Sequence, residues 1–175
     1  QKNLKNLKVN IVFGDLLDND SIKRACEDVE SIIHIAGFVK DWGEYSKFYS
    51  VNVNGTLNVL RAAKERNIKN IVITGSISSY GENDSSDIKD ETYPYNPNYP
   101  YFLNKIFPAT FNYYRQTKAV VTQKSIEYCK DNDINLTVIE PSWVYGEREF
   151  DTCFYEYLKA VSSGLFIVPG SKKNN

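Results

Sequence analysis

The strongest constraint on this chain is a series of short apolar, β-branched runs, each stopped by a breaker and separated by segments with helical spacing. The runs are Val9–Phe13, Ser31–Ile35, Ile71–Thr74 and Leu136–Ile139, and the breakers are Gly14-Asp15, Ala36-Gly37, Gly75 and Pro141. Strands that are apolar throughout, rather than alternating, belong in a parallel sheet covered on both faces. Between them, Ser21–Val29 follows Asp and Asn residues able to cap a helix. Tyr45–Arg66 carries Val53, Leu57, Leu60 and Ala63 at helical spacing, with Asn67 as its terminator. Tyr113–Asp131 and Thr152–Ser162 are the remaining helical segments, the last ended by Gly164. The order β-α-β-α-β-loop-α-β-α predicts an α/β, doubly wound parallel sheet. Its crossovers are right-handed, so consecutive strands should be neighbours. Ligands in such sheets sit beyond the carboxyl ends of the strands. Gly14-Asp15, Ala36-Gly37, Ser76 and Pro141 are therefore expected along one rim.

Residues 81–112 break the pattern. They are polar and rich in Tyr, Pro and Asn, and proline at this density forbids regular ladders and helices. So many aromatics favour an ordered loop lying over a site rather than a linker. It would form an aromatic wall for a substrate or pack against further chain.

Composition removes several function classes. The net charge is -1, with Lys and Arg scattered among Asp and Glu, so no basic face is in view for nucleic acid. No apolar run approaches the roughly 18 residues of a membrane span, and the polar, lysine-rich start is not a signal peptide. A cytoplasmic protein is expected. Cys26, Cys129 and Cys153 are far apart and lack CxxC spacing, so reduced thiols are expected rather than disulfides or a metal site. His34 is the only histidine, which makes a Ser-His-Asp triad or a histidine metal centre a weak reading. The chain starts at Gln1, contains no methionine and stops at Asn175, and is expected to be part of a longer protein.

Two short patterns can carry chemistry. In Tyr114-Arg-Gln-Thr-Lys118 the first and last side chains share a helix face, so a phenol and an ammonium can enter one pocket. A free tyrosine has a pKa of about 10, and a nearby cation favours its phenolate. Thr74-Gly-Ser-Ile-Ser-Ser-Tyr-Gly81 lies at the end of the third strand, where Ser76 can donate to a substrate carbonyl. On spacing alone Ser78 or Ser79 fits the same role. Trp42, Tyr45 and Tyr49 fit either the core or the wall of a substrate pocket.

Together these segments resemble the extended short-chain dehydrogenases/reductases, also called the NAD-dependent epimerase/dehydratase family. The likeness runs over nearly all of residues 5–173. Gly14-Asp15-Leu-Leu-Asp18 resembles the family's adenine-contacting turn, which implies that Asp15 and Leu16 hold the base. Ile33-His-Ile-Ala-Gly37 resembles the strand end beside the cofactor, with Ala36 and Gly37 in contact. Asn52-Val-Asn-Gly-Thr56 resembles the helix motif whose first Asn supports the cofactor-side strand ends. Thr74–Gly81 matches the strand that delivers the catalytic Ser or Thr, at Ser76. Tyr114 and Lys118 match the catalytic pair, and Pro141-Ser-Trp-Val-Tyr-Gly146 resembles the segment lining nicotinamide and substrate.

The resemblance implies a Rossmann-like sheet, incomplete at the N-terminus and towards the C-terminus, over residues 1–175, with the substrate-binding region starting at 147–175. It implies NAD or NADP as cofactor, with Asp15, Leu16, Ala36, Gly37, Asn52, Thr74, Tyr114, Lys118, Pro141 and Val144 in contact. It implies a small-molecule substrate near Ser78, Trp42 and Trp143, no metal, and a homodimer through paired helices. Phe38–Gly43, Val144–Glu147 and Leu165–Gly170 lean towards the 3β-hydroxysteroid dehydrogenase-like and dihydroflavonol reductase-like branch. The implied reaction interconverts an alcohol and a carbonyl by hydride transfer. The alternatives are a nucleotide-sugar epimerase or dehydratase and a non-catalytic binding module. Three departures stand out. The glycine-rich GxxGxxG turn is absent, and with it the residue that separates NAD from NADP. Ile77 and Ser78 occupy the places where a dehydratase carries an acidic pair, and Glu140 stands where the family often has Arg.

Overall fold

The computed structural model describes Leu4 and residues 7–40, 42–81, 88–97, 112–142, 144–147 and 153–164. Three strands form a parallel sheet in the order β1 (Ser31–His34), β2 (Asn70–Thr74), β3 (Asn135–Ile139). Consecutive strands are neighbours, as right-handed crossovers require. Their register aligns Ile32, Ile71 and Leu136 in one row and His34, Ile73 and Val138 in another. Because side chains alternate along a strand, both rows face the same side. On that side lie α1 (Asn19–Ala25), α3 (Gly55–Glu65) and α4 (Asn112–Asp131). Cys26 at the end of α1, Leu60 and Ala63 of α3 and Cys129 of α4 close the core with Ile71 and Ile73. Burial of such aliphatic side chains contributes on the order of 1.5–3 kcal/mol each.

The opposite rows differ. Ile33 and Ile139 are exposed at 71% and 53%. Helices on both faces were expected; among the described residues they cover one.

The helices form where capping and periodicity place them. Asp18 caps α1 by accepting from the amides of Asp20 and Ser21. The Tyr45–Arg66 segment is one run in three parts: α2 (Tyr45–Phe48), a π-helical stretch (Tyr49–Asn54) and α3. The wider π turn rotates the faces, so Asn52 and Val53 are both buried. Asn67 ends the run in a left-handed conformation, φ 57°, while the Ile68 amide returns to the Ala63 carbonyl. A short 3₁₀ turn (Ile77–Tyr80) follows β2, and α5 (Cys153–Ser162) closes the order.

Val9–Phe13 departs from expectation. It forms no strand, and Phe13 is 74% exposed. A strand exists through its ladder, and none of the described residues pairs with this run. Trp143 and Leu165–Gly170 lie outside the described residues, as do 82–87 and 98–111 of the irregular stretch.

Candidate functional site

The site is assembled at the carboxyl ends of the strands, beginning with Asn52. Its side-chain oxygen accepts from the Phe38 amide at 2.6 Å, and its nitrogen donates to the Phe38 carbonyl at 3.2 Å. The same nitrogen donates to Thr117 Oγ1 at 3.2 Å, and Thr117 in turn donates to the backbone carbonyls of Tyr113 and Tyr114. One buried amide thus ties the loop after β1 to the helix turn that carries Tyr114. Beside it, Thr56 donates its hydroxyl proton to the Asn52 carbonyl at 2.7 Å, so His34 Nε2, 2.9 Å from Thr56 Oγ1, must be the donor. His34 is held neutral. Burial, and then the Lys118 ammonium, push its pKa down to about 4.

The end of β2 brings the three polar groups together. Lys118 is buried, and its ammonium donates to the Thr74 carbonyl at 2.7 Å and sits 5.9 Å from the centre of the Tyr114 ring. Burial lowers its pKa. Tyr114 is raised by burial, and the nearby Ser76 side chain offsets part of that rise. Ser76 caps the 3₁₀ turn by accepting from the Ser78 amide, and its hydroxyl lies 2.8 Å from that of Ser78. The three serines differ in their surroundings. Ser76 lies near enough to Tyr114 to act on its phenol, Ser78 pairs with Ser76, and Ser79 is fully buried.

Glycines keep this end open. A Cβ on Gly37 would lie 3.2 Å from Asn52 Oδ1 and 3.8 Å from Lys118 Nζ. Ala36 and Gly37 are exposed on the rim. The Gly75 amide donates to the Ile139 carbonyl at 2.7 Å and the Ile77 amide to the Pro141 carbonyl at 3.3 Å, which brings Pro141 to the Ser76 turn. Asp15 uses one carboxylate oxygen in a local turn to the Leu17 amide, and the Leu16 carbonyl is held by Asn58 of α3. Val144 is 72% exposed. Trp42 is on the surface, whereas Tyr45 packs on Tyr49 and on Tyr113, and Phe48 fills the core beneath Tyr113.

The sequence assigns no partner to Glu140 or to His34. The Glu140 carboxylate accepts both the Tyr80 phenol, at 2.5 Å, and the Tyr95 phenol, at 2.8 Å. Burial and the Glu140 bond raise Tyr80 to about 12, and the same causes raise Tyr95 further. The Asn96 amide donates to the Ser79 carbonyl at 3.0 Å, and Lys89 donates to the Gly81 carbonyl at 2.5 Å. Residues 88–97 of the irregular stretch are thus pinned to the Ser76 turn. These contacts join residues far apart in sequence, and spacing carries no signal of them.

A parallel sheet with helices against it and polar side chains gathered at the end of its middle strand defines a Rossmann-like α/β fold. The chain belongs to the NAD dependent epimerase/dehydratase family, whose profile matches residues 1–164. It is 29% identical over 165 residues to N-acetyl-alpha-D-glucosaminyl-diphospho-ditrans,octacis-undecaprenol 4-epimerase of Escherichia coli O157:H7, covering 93% of this chain and 45% of that protein. It is 28% identical over 151 residues to the human (Homo sapiens) sterol-4-alpha-carboxylate 3-dehydrogenase, decarboxylating, covering 85% of this chain and 37% of that one. Among solved structures, UDP-glucuronic acid 4-epimerase from Bacillus cereus in complex with NAD superposes with a TM-score of 0.72 at 21% identity, over 93% of this chain and 50% of that one. The chain spans half or less of the length of these relatives. Among the described residues, no helix is long and apolar enough to cross a membrane.

Proposed function

We propose that the protein is an NAD(P)-dependent oxidoreductase that interconverts an alcohol and a ketone or aldehyde, with Ser76, Tyr114 and Lys118 as its catalytic set. The observation that carries this reading is that Lys118, bonded to the Thr74 carbonyl, lies with the Tyr114 ring at the end of β2, where the Ser76 turn begins. Ser76 hydrogen-bonds the substrate oxygen. Tyr114 gives that oxygen its proton in the reducing direction and removes it in the other. Lys118, whose positive charge is fixed to β2 through Thr74, favours the phenolate. The nicotinamide supplies or accepts the hydride.

The residues present fit such a cofactor. Gly37 offers a bare backbone beside Lys118, and an ammonium has three N–H groups, of which the Thr74 carbonyl takes one. The remainder suit ribose hydroxyls. Asp15, Leu16, Ala36, Asn52, Pro141 and Val144 complete the proposed contacts, with Ser78, Trp42 and Trp143 towards the substrate and 147–175 opening the substrate-binding region. NAD is favoured over NADP because solved relatives hold it. Buried thiols at Cys26 and Cys129 agree with a cytoplasmic setting. A homodimer through α4 belongs to the same reading.

The second reading is a nucleotide-sugar epimerase, in which hydride returns to the same substrate; the Escherichia coli O157:H7 relative supports it equally. Titration of the intact protein with NADH and NADPH, followed by cofactor fluorescence, tests both, and binding of neither would sink them. Turnover with a net gain or loss of NADH identifies the oxidoreductase, and turnover with no net change the epimerase. Tyr114→Phe should lower turnover at least about 100-fold in either case, the scale of general acid–base catalysis.

A further inference from the structure

Glu140 follows β3 directly, and its two oxygens are taken by two phenols, one on the Ser76 turn and one on residues 88–97. Gly75 explains how the side chain reaches them. A Cβ there would lie 2.8 Å from Glu140 Cγ and 3.2 Å from Oε1, so the glutamate lies across the backbone immediately before Ser76. Tyr80 ends the 3₁₀ turn that Ser76 caps, and it returns to the same carboxylate. The Ser76 turn is therefore gripped at its entry by packing on Gly75 and at its exit by the Tyr80 phenol. Phenol-to-carboxylate bonds of this length are charge-assisted and about twice as strong as neutral ones. Tyr95, its ring centre 4.8 Å from that of Tyr80, anchors residues 88–97 to the same point.

We propose that Glu140 is the positioning residue for Ser76: its carboxylate, holding Tyr80 and Tyr95, fixes the turn that presents the Ser76 hydroxyl beside Tyr114. This rests on the reading of Ser76 and Tyr114 as one site. A carboxylate suits the task because it accepts from two hydroxyls at once without a donor of its own to place. A glutamine has one carbonyl oxygen and an amide that donates, so one phenol must reverse its role and accept, and neither bond is any longer to a charged oxygen. The grip at the exit then loosens.

NMR of the protein with isotope-labelled tyrosine rings tests this, since the phenolic carbon reports hydrogen bonds to its oxygen. Tyr114→Phe, Tyr80→Phe and Tyr95→Phe assign the three resonances. Ser76→Ala sets the reference, because it removes the hydroxyl that lies beside Tyr114. Glu140→Gln should shift the Tyr80 and Tyr95 resonances and move that of Tyr114 in the same direction as Ser76→Ala. If Tyr80 and Tyr95 shift while Tyr114 stays, the carboxylate anchors residues 88–97 alone and the proposal is overturned. If none of the three moves, the grip itself is refuted. If Ser76→Ala leaves Tyr114 in place, it is the site reading that fails, and the proposal falls with it. Should Glu140→Gln not fold, Tyr80→Phe opens only the exit of the turn, and the Tyr114 shift is expected there as well.

Discussion

Single buried polar residues set the chemistry of this fold, and His34 is the most sensitive to pH. In the unfolded chain its imidazole takes a proton near 6.5, and in the fold only near 4. The unfolded state therefore binds more protons between these values, so stability is full above about 6.5 and declines as pH falls towards 4. A shift of this size corresponds to a loss of about 3 kcal/mol. Urea unfolding at neutral and acid pH should show it, and a His34→Gln variant should show a flatter dependence; equal slopes in the two proteins would exclude His34 as the cause. The placing of Tyr114 and Lys118 on one helix and of Ser76 just past a strand was legible in the sequence, because the phenol and ammonium are one helical turn apart and the serine follows an apolar run. His34 with Thr56 and Glu140 with its phenols were not legible, because each bond spans many residues and depends on how β1, β2 and β3 are laid side by side.

At the scale of elements, apolar spacing anticipated α1, α3, α4 and α5 and three of the four strands. The π-helical stretch escaped, since a wider turn leaves no mark in hydrophobic spacing. Its consequence is visible at Gly55, which begins α3 directly after it. A Cβ there would stand 2.9 Å from Leu16 Cβ, and the Leu16 carbonyl is held by Asn58. Alanine within a helix gains about 1 kcal/mol over glycine, but overpacking costs about 1–3 kcal/mol. Because the obstacle is close to the Leu16 backbone rather than at a flexible tip, the clash should win. Gly55→Ala is expected to destabilise the fold by about 1 kcal/mol; a higher urea midpoint would show that the turn at Leu16 yields. Val9–Phe13 had the composition of a strand, but composition specifies only the willingness to pair, and pairing needs a neighbour.

For the whole molecule, the sheet is the frame and the site hangs from its carboxyl edge. Its helix-covered face holds the core, while Ile33 and Ile139 lie open on the other. The site is correspondingly one-sided: Lys118, Thr117 and Tyr114 come from one helix, and strand ends and loops are drawn towards it. Asn52 does this for the loop after β1, and it does so as a stand-in for a peptide group, giving and taking a hydrogen bond at Phe38 as a neighbouring strand would. Phe38 lies outside every regular element, where amide hydrogens ordinarily exchange with solvent through small local openings. Here its hydrogen can leave only when the buried Asn52 amide lets go, and that amide is also tied to α4. Deuterium should therefore enter Phe38 on the timescale of the sheet's own amides, and Asn52→Ala should return it to that of an ordinary loop. Rapid labelling of Phe38 in the unaltered protein would mean that this loop opens independently of α4.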